Sequence, residues 1–199
     1  MTTRLQPAIA LLEFESIAVG MRAGDAMVKR AAVEVTYAGT VHPGKYLVLV
    51  GGDVAVVEEA YSAGRQAGGD SLIDSIFLPS AHQDLVAILR GSQGRMSGDA
   101  VGVVETRTAA STVGAVDRGR KGAEVEIVEI RLADRLGGKA FCIFSGLISD
   151  VEAAVDLAAG PIEKTGFLIA RVVIPQFHSE MLANLESSSD FARNLMGGH

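Results

Sequence analysis

The same order of short motifs runs through this chain twice. Ala8-Ile9-Ala10-Leu11-Leu12-Glu13 returns as Ala100-Val101-Gly102-Val103-Val104-Glu105, and Asp25-Ala26-Met27-Val28-Lys29 returns as Asp117-Arg118-Gly119-Arg120-Lys121. Gly44-Lys45 matches Gly138-Lys139, and Leu78-Pro79-Ser80-Ala81-His82 matches Ile174-Pro175-Gln176-Phe177-His178. Gly52-Asp53-Val54 matches Gly146 and then, across what reads as an insertion of Leu147-Ile148-Ser149, Asp150-Val151. The offset drifts only from about 92 to 97. A repeat of this length is a duplicated domain, so the chain must fold two similar units and pack them. Residues 1–90 and 99–186 read as the two domains, Gly/Ser-rich 91–98 as the linker, and 187–199 as a tail.

Within each copy the periodicity switches between two and 3.6. In copy one, 8–12 is a short apolar strand, and 16–32 carries a helical stripe through Ile17, Met21, Gly24, Val28 and Ala31, with Ser16 as N-cap. Val33, Val35 and Tyr37 alternate with polar residues as a half-buried strand. Pro43-Gly44 signals a type II turn, so 33–37 and 46–50 form a hairpin with His42 at its tip. Asp53 is placed to cap a second helix, 75–78 is a last strand stopped by Pro79, and 83–89 is a short closing helix. Copy two repeats this order, with a longer hairpin around Leu136-Gly137-Gly138. The fold class expected is α+β: two tandem ferredoxin-like β-α-β-β-α-β domains.

Composition narrows the function. The net charge of −6 and the absence of Trp argue against a nucleic-acid partner. A single cysteine, Cys142, excludes an internal disulfide. No apolar run approaches the roughly 20 residues of a membrane span, and a cytoplasmic setting is expected. Hydrophobic residues make up 48% of the chain, yet each copy is small and its helices carry many Ala and Gly. Such domains have little core of their own and bury surface against each other and against further chains.

Glu13, the run from Ala23 to Ala31, Gly51-Gly52-Asp53-Val54 and Pro79-x-x-His82, given twice, resemble the bacterial microcompartment (BMC) shell proteins, in their tandem-domain class. The resemblance implies a cyclic homotrimer with the outline of a hexagon (a pseudohexamer), laid edge to edge with other shell proteins in the cytoplasm. It implies a central pore for small metabolites, lined by His42, Pro43 and Gly44 from copy one and Leu136, Gly137 and Gly138 from copy two. It implies that Lys29 and Lys121 make contacts at the tile edge. Relatives of this class from propanediol-utilisation compartments have cysteine at the position of His42 and hold an iron–sulfur cluster on the axis. With His42 there, no such cluster and no other cofactor is expected.

Other readings stand beside this one. His42 can be an ordinary turn histidine, or one of three imidazoles binding a metal ion on the threefold axis. Lys29 and Lys121 can be solvated helix lysines. Paired ferredoxin-like domains also serve as small-molecule sensors, and the axis can carry a metal or redox centre. Glu13 and Glu105 recur at strand ends, but no positioned nucleophile or acid–base pair accompanies them, and no enzyme activity is expected. His82 and His178 are expected to cap or pack near the closing helices.

Overall fold

A computed structural model describes residues 8–33 and 35–187. Copy one runs β1 (Ala8–Phe14), α1 (Ile17–Arg30), β2 (Val35–Val41), β3 (Lys45–Gly52), α2 (Val54–Gly68), β4 (Leu72–Leu78) and α3 (Gln83–Leu89). Copy two runs β5 (Ala100–Thr106), α4 (Ala109–Gly122), β6 (Glu126–Leu132), β7 (Ala140–Gly146), α5 (Ile148–Glu163), β8 (Leu168–Ile174) and α6 (Ser179–Ser187). The strands form two antiparallel sheets in the orders β2-β3-β1-β4 and β6-β7-β5-β8, the ferredoxin-like arrangement. The tail from 188 onward lies outside the described residues.

Strand β1 explains how the copies join. Its alternation sends Ala8, Ala10, Leu12 and Phe14 into a core with Met27 of α1, Val48 and Val50 of β3, and Val57 and Ala60 of α2. Ile9 and Leu11 point the other way, into a second core shared with Val113 and Val116 of α4 and with Leu85 and Val86 of α3. Both faces of β1 are therefore buried. The first face is covered by the helices of copy one and the second by those at the junction with copy two. Glycine lets the helices lie close: a Cβ on Gly20 would sit 2.6 Å from Cβ of Tyr46, and one on Gly68 would sit 2.3 Å from Cε1 of Phe14.

Three local expectations change. No insertion precedes the second helix of copy two. Gly52 pairs with Ala8 and Gly146 with Ala100, so α5 begins at Ile148, one residue after its N-cap Leu147, as α2 begins one residue after Asp53. Asp53 holds the N-cap place of α2, yet its side chain makes no capping bond. In the first hairpin Gly44 N–H donates to Val41 O at 2.9 Å, with Pro43 in a cis peptide. That is a turn with cis-proline third of four, in place of the type II turn expected. Gly44 keeps the positive φ anticipated for it, at 111°.

The 91–98 connection is docked along copy two. Arg95 N–H donates to Ile127 O at 3.1 Å, where β6 carries a bulge, and Ser97 N–H donates to Ser145 Oγ at 3.0 Å.

Candidate functional site: the paired hairpin tips

The β2–β3 and β6–β7 hairpins end side by side. In the first, Val41 pairs with Lys45, which leaves a loop of His42, Pro43 and Gly44. In the second, Ala133 N–H donates to Lys139 O at 3.0 Å, which leaves 134–138. His42 and Asp134 are thus the first loop residues of their hairpins, and they meet: His42 Nδ1 lies 2.9 Å from Asp134 Oδ1. Both side chains are exposed. The hydrogen bond from His42 is the main cause that holds the Asp134 carboxyl below its ordinary range. The second loop turns through positive φ at Ala133, Arg135, Gly137 and Gly138. Gly138 is buried where a Cβ would sit 2.9 Å from Cδ of Pro43, while Pro43, Gly44 and Gly137 are exposed and Leu136 is half-buried.

Behind the tips, a pair of ionic contacts recurs. Lys45 Nζ lies 2.6 Å from Glu13 Oε1, and Lys139 Nζ lies 2.6 Å from Glu105 Oε1. Glu13 is fully buried, and its second oxygen accepts from Ala109 N–H at 2.7 Å, the first residue of α4. One carboxylate therefore ties the first tip to the N-terminus of a copy-two helix, where negative charge is favoured. Burial outweighs Lys45 and the Ala109 N–H, and pushes the Glu13 carboxyl above its ordinary range. The sequence displayed both Glu/Lys pairs at matched offsets, and that recurrence was the available signal for them. The His42–Asp134 contact had no such signal, because it depends on how the domains pack.

At the opposite end of the α4 seam, Asp117 is buried, accepts from His82 N–H at 2.8 Å and lies 2.6 Å from Lys121 Nζ. Lys121 also donates to Ser80 O, so its ammonium meets a backbone carbonyl of the other copy. Lys29 lies 2.7 Å from Asp25 and is exposed. His82 Nδ1 accepts from Asp84 N–H at 3.2 Å, and His178 Nδ1 from Glu180 N–H at 3.3 Å, so both histidines cap their closing helices.

The tips do not fit an iron–sulfur cluster. Such clusters are held by thiolates. Cys142 lies buried inside β7 with its thiol pushed up to about 12, and the tip offers imidazole and carboxylate. No group of three metal-ligating side chains gathers in one chain among the described residues.

The BMC domain model matches residues 8–81 and 100–177. The chain is 40% identical to the bacterial microcompartment shell protein PduT of Citrobacter freundii, over 89% of this chain and 96% of that one. It is 24% identical to the carboxysome assembly protein CcmO of Synechocystis sp., over 87% of this chain and 63% of that one. A crystal structure of a microcompartment protein from Desulfitobacterium hafniense superposes with a TM-score of 0.78 at 35% identity, covering 90% of this chain and 99% of that one. A fused permuted hexameric shell protein from the RMM microcompartment shares the fold at 22% identity and a TM-score of 0.58, over 79% of this chain and 84% of that one. Two matched domains, that identity and that coverage place the chain in the BMC family, as a tandem-domain shell protein of bacterial microcompartments.

Proposed function

We propose that this structural shell protein closes into a cyclic homotrimer, a six-domain tile whose hairpin tips surround a pore for small metabolites. The observation that carries this reading is an imbalance between the two sheets. The face of the first sheet that bears Ile9, Leu11 and Ile76 is covered by α4. The matching face of the second sheet is open: Val172, the counterpart of Ile76, is 48% exposed, and Ile174 is 39% exposed. Helix α1, the counterpart of α4, packs on its own sheet through Ala23 and Met27 but has no second sheet against its outer face. Val113 of α4 is fully buried, whereas its counterpart Met21 is 53% exposed.

The same packing step between chains lays α1 of one chain on the second sheet of the next. It brings Glu105 to the N–H of Ile17 and Asp25 to the N–H of His178, copying the Glu13–Ala109 and Asp117–His82 contacts. A hexagonal outline built from two-domain chains takes three of them. Each tip then contacts the next, so His42, Pro43, Gly44, Leu136 and Gly137 form the inner rim, with Gly138 tucked behind Pro43. Lys29 and Lys121 sit at the outer ends of the seams, in reach of neighbouring tiles.

The tile lies in a microcompartment shell in the cytoplasm, holds no resident cluster and catalyses no reaction. Electron microscopy of the concentrated protein tests the assembly. Flat sheets or tubes with a hexagonal lattice are the expected result. Dispersed monomers with a saturable small-molecule site would favour the sensor reading instead.

A further inference from the structure

The seam inside the chain, where α4 covers the first sheet, differs in its residues from the open faces of α1 and the second sheet. On the first sheet Asp74 of β4 pairs with Glu13, and on the second Ala170 of β8 pairs with Glu105, so Ala170 holds the place of Asp74. Thr108 and Ser111 stand at the start of α4, where Ser111 N–H donates to Thr108 Oγ1. Ser16 and Val19 stand at the start of α1, with the same bond from Val19 N–H to Ser16 Oγ. Val19 therefore holds the place of Ser111.

Within the chain these groups are matched. Thr108 Oγ1 and Ser111 Oγ both donate to Asp74 Oδ2, the second at 2.7 Å, and Asp74 Oδ1 accepts from Ser75 N–H at 2.8 Å. At the open faces the carboxylate and the second hydroxyl both give way to apolar groups. Ala170 is exposed on the sheet and Val19 is half-buried on α1. Size divides in the same way. Leu11 and Ile76 pair across the first sheet and share a core with Val113, a smaller helix residue. Val103 and Val172 pair across the second sheet, and the helix counterpart of Val113 is the longer Met21.

We propose that Asp74 with Thr108 and Ser111, set against Ala170 with Val19, makes the two seams mutually exclusive. The first sheet takes α4 and rejects α1, while the second sheet takes α1 of another copy of this chain and rejects α4. This inference rests on the trimer reading. A wrong pairing is penalised whichever way round it occurs. With α1 on the first sheet, the Asp74 carboxylate lies against the Val19 side chain and loses a donor. With α4 on the second sheet, Ser111 meets the Ala170 methyl group and loses its acceptor. Like domains therefore do not pair with like. The copies alternate around the ring, which closes on whole chains and not on first domains gathered from separate ones.

The rule can be read at the seam between chains, where association is measurable. Ala170→Asp gives the second sheet the carboxylate of the first, in matching surroundings: Glu105 with Lys139 stands where Glu13 with Lys45 stands. Ala170 is exposed in one chain, so the fold should be kept, which circular dichroism checks. Fluorescence-detected sedimentation velocity over a dilution series reads the trimer. Ala170→Asp is expected to weaken association roughly tenfold at each seam, the effect of a carboxylate left short of one hydrogen bond. Adding Val19→Ser supplies the missing hydroxyl and should bring association back close to that of the unmodified chain. Adding Val19→Ala opens the same space without a hydroxyl and should recover little. Unchanged association in Ala170→Asp, or recovery by Val19→Ala equal to that by Val19→Ser, overturns the selectivity and leaves the trimer standing. An unmodified chain that sediments as a monomer throughout overturns the trimer and the selectivity with it.

Discussion

Met21→Asp should leave the chain folded and dissolve the trimer into monomers. Met21 is 53% exposed on α1, so in one chain the change costs only a fraction of a kcal/mol in helix propensity. In the ring the same side chain takes the place that Val113 holds on α4, where nothing is exposed. In the proposed seam it meets Val103, Val172 and Ile174 of the next chain, the counterparts of Leu11, Ile76 and Leu78. An unpaired carboxylate buried there costs on the order of 4 kcal/mol per seam, close to a thousandfold in association. Sedimentation velocity at micromolar concentration reads the result directly. A trimer that survives this change unaltered would show that α1 lies outside the seam.

The second large effect is on the fold itself. Glu13→Ala should destabilise the chain by about 3 kcal/mol in urea titrations at pH 7. It leaves Lys45 without its partner and the Ala109 N–H without an acceptor. The low end of the range for broken buried pairs applies because Lys45 keeps 20% of its side-chain surface in water. Glu13→Gln keeps an acceptor for Ala109 and should cost less, about 1 kcal/mol.

The pH dependence follows from the sign of the Glu13 shift. Burial raises its carboxyl above the unfolded value of 4.5. The unfolded chain thus gives up this proton first as pH rises. The associated stability is fully present below 4.5 and is lost as pH passes through the raised folded value. Glu13→Gln should remove that part of the slope. An identical slope in both proteins would mean that Glu13 titrates alike in the folded and unfolded states.

How far the sequence reveals this arrangement depends on whether a contact is local or lies between domains. The duplication and the element order are legible because each element writes its own period, and the second copy repeats it. Ser16 caps α1 where a hydroxyl just before an apolar stripe says it should, and Thr108 holds the matching place before α4. The start of α5 misleads because Asp150 matches Asp53 in kind while Leu147 holds the equivalent place. Leu147 is 64% exposed, a residue whose position neither burial nor capping explains. The partner of His42 is invisible for a different reason. Asp134 follows it by 92 residues, in the loop where the copies differ most, and only the packing of α4 on the first sheet brings them together. Lys121 shows the same limit: its stretch of sequence suggests an edge lysine, while its bond to Ser80 O comes from the seam.

The claim at the centre of this account is that the hairpin tips of three chains meet around one axis. Thr40 is exposed on β2 next to the first tip, and Cys142 is buried with its thiol pushed up to about 12, so Thr40→Cys offers one site for a nitroxide label. Double electron–electron resonance on the labelled protein should give a single short distance between equivalent spins, with the modulation depth of three coupled spins. The depth of two spins, or no coupling between chains, would contradict the tile.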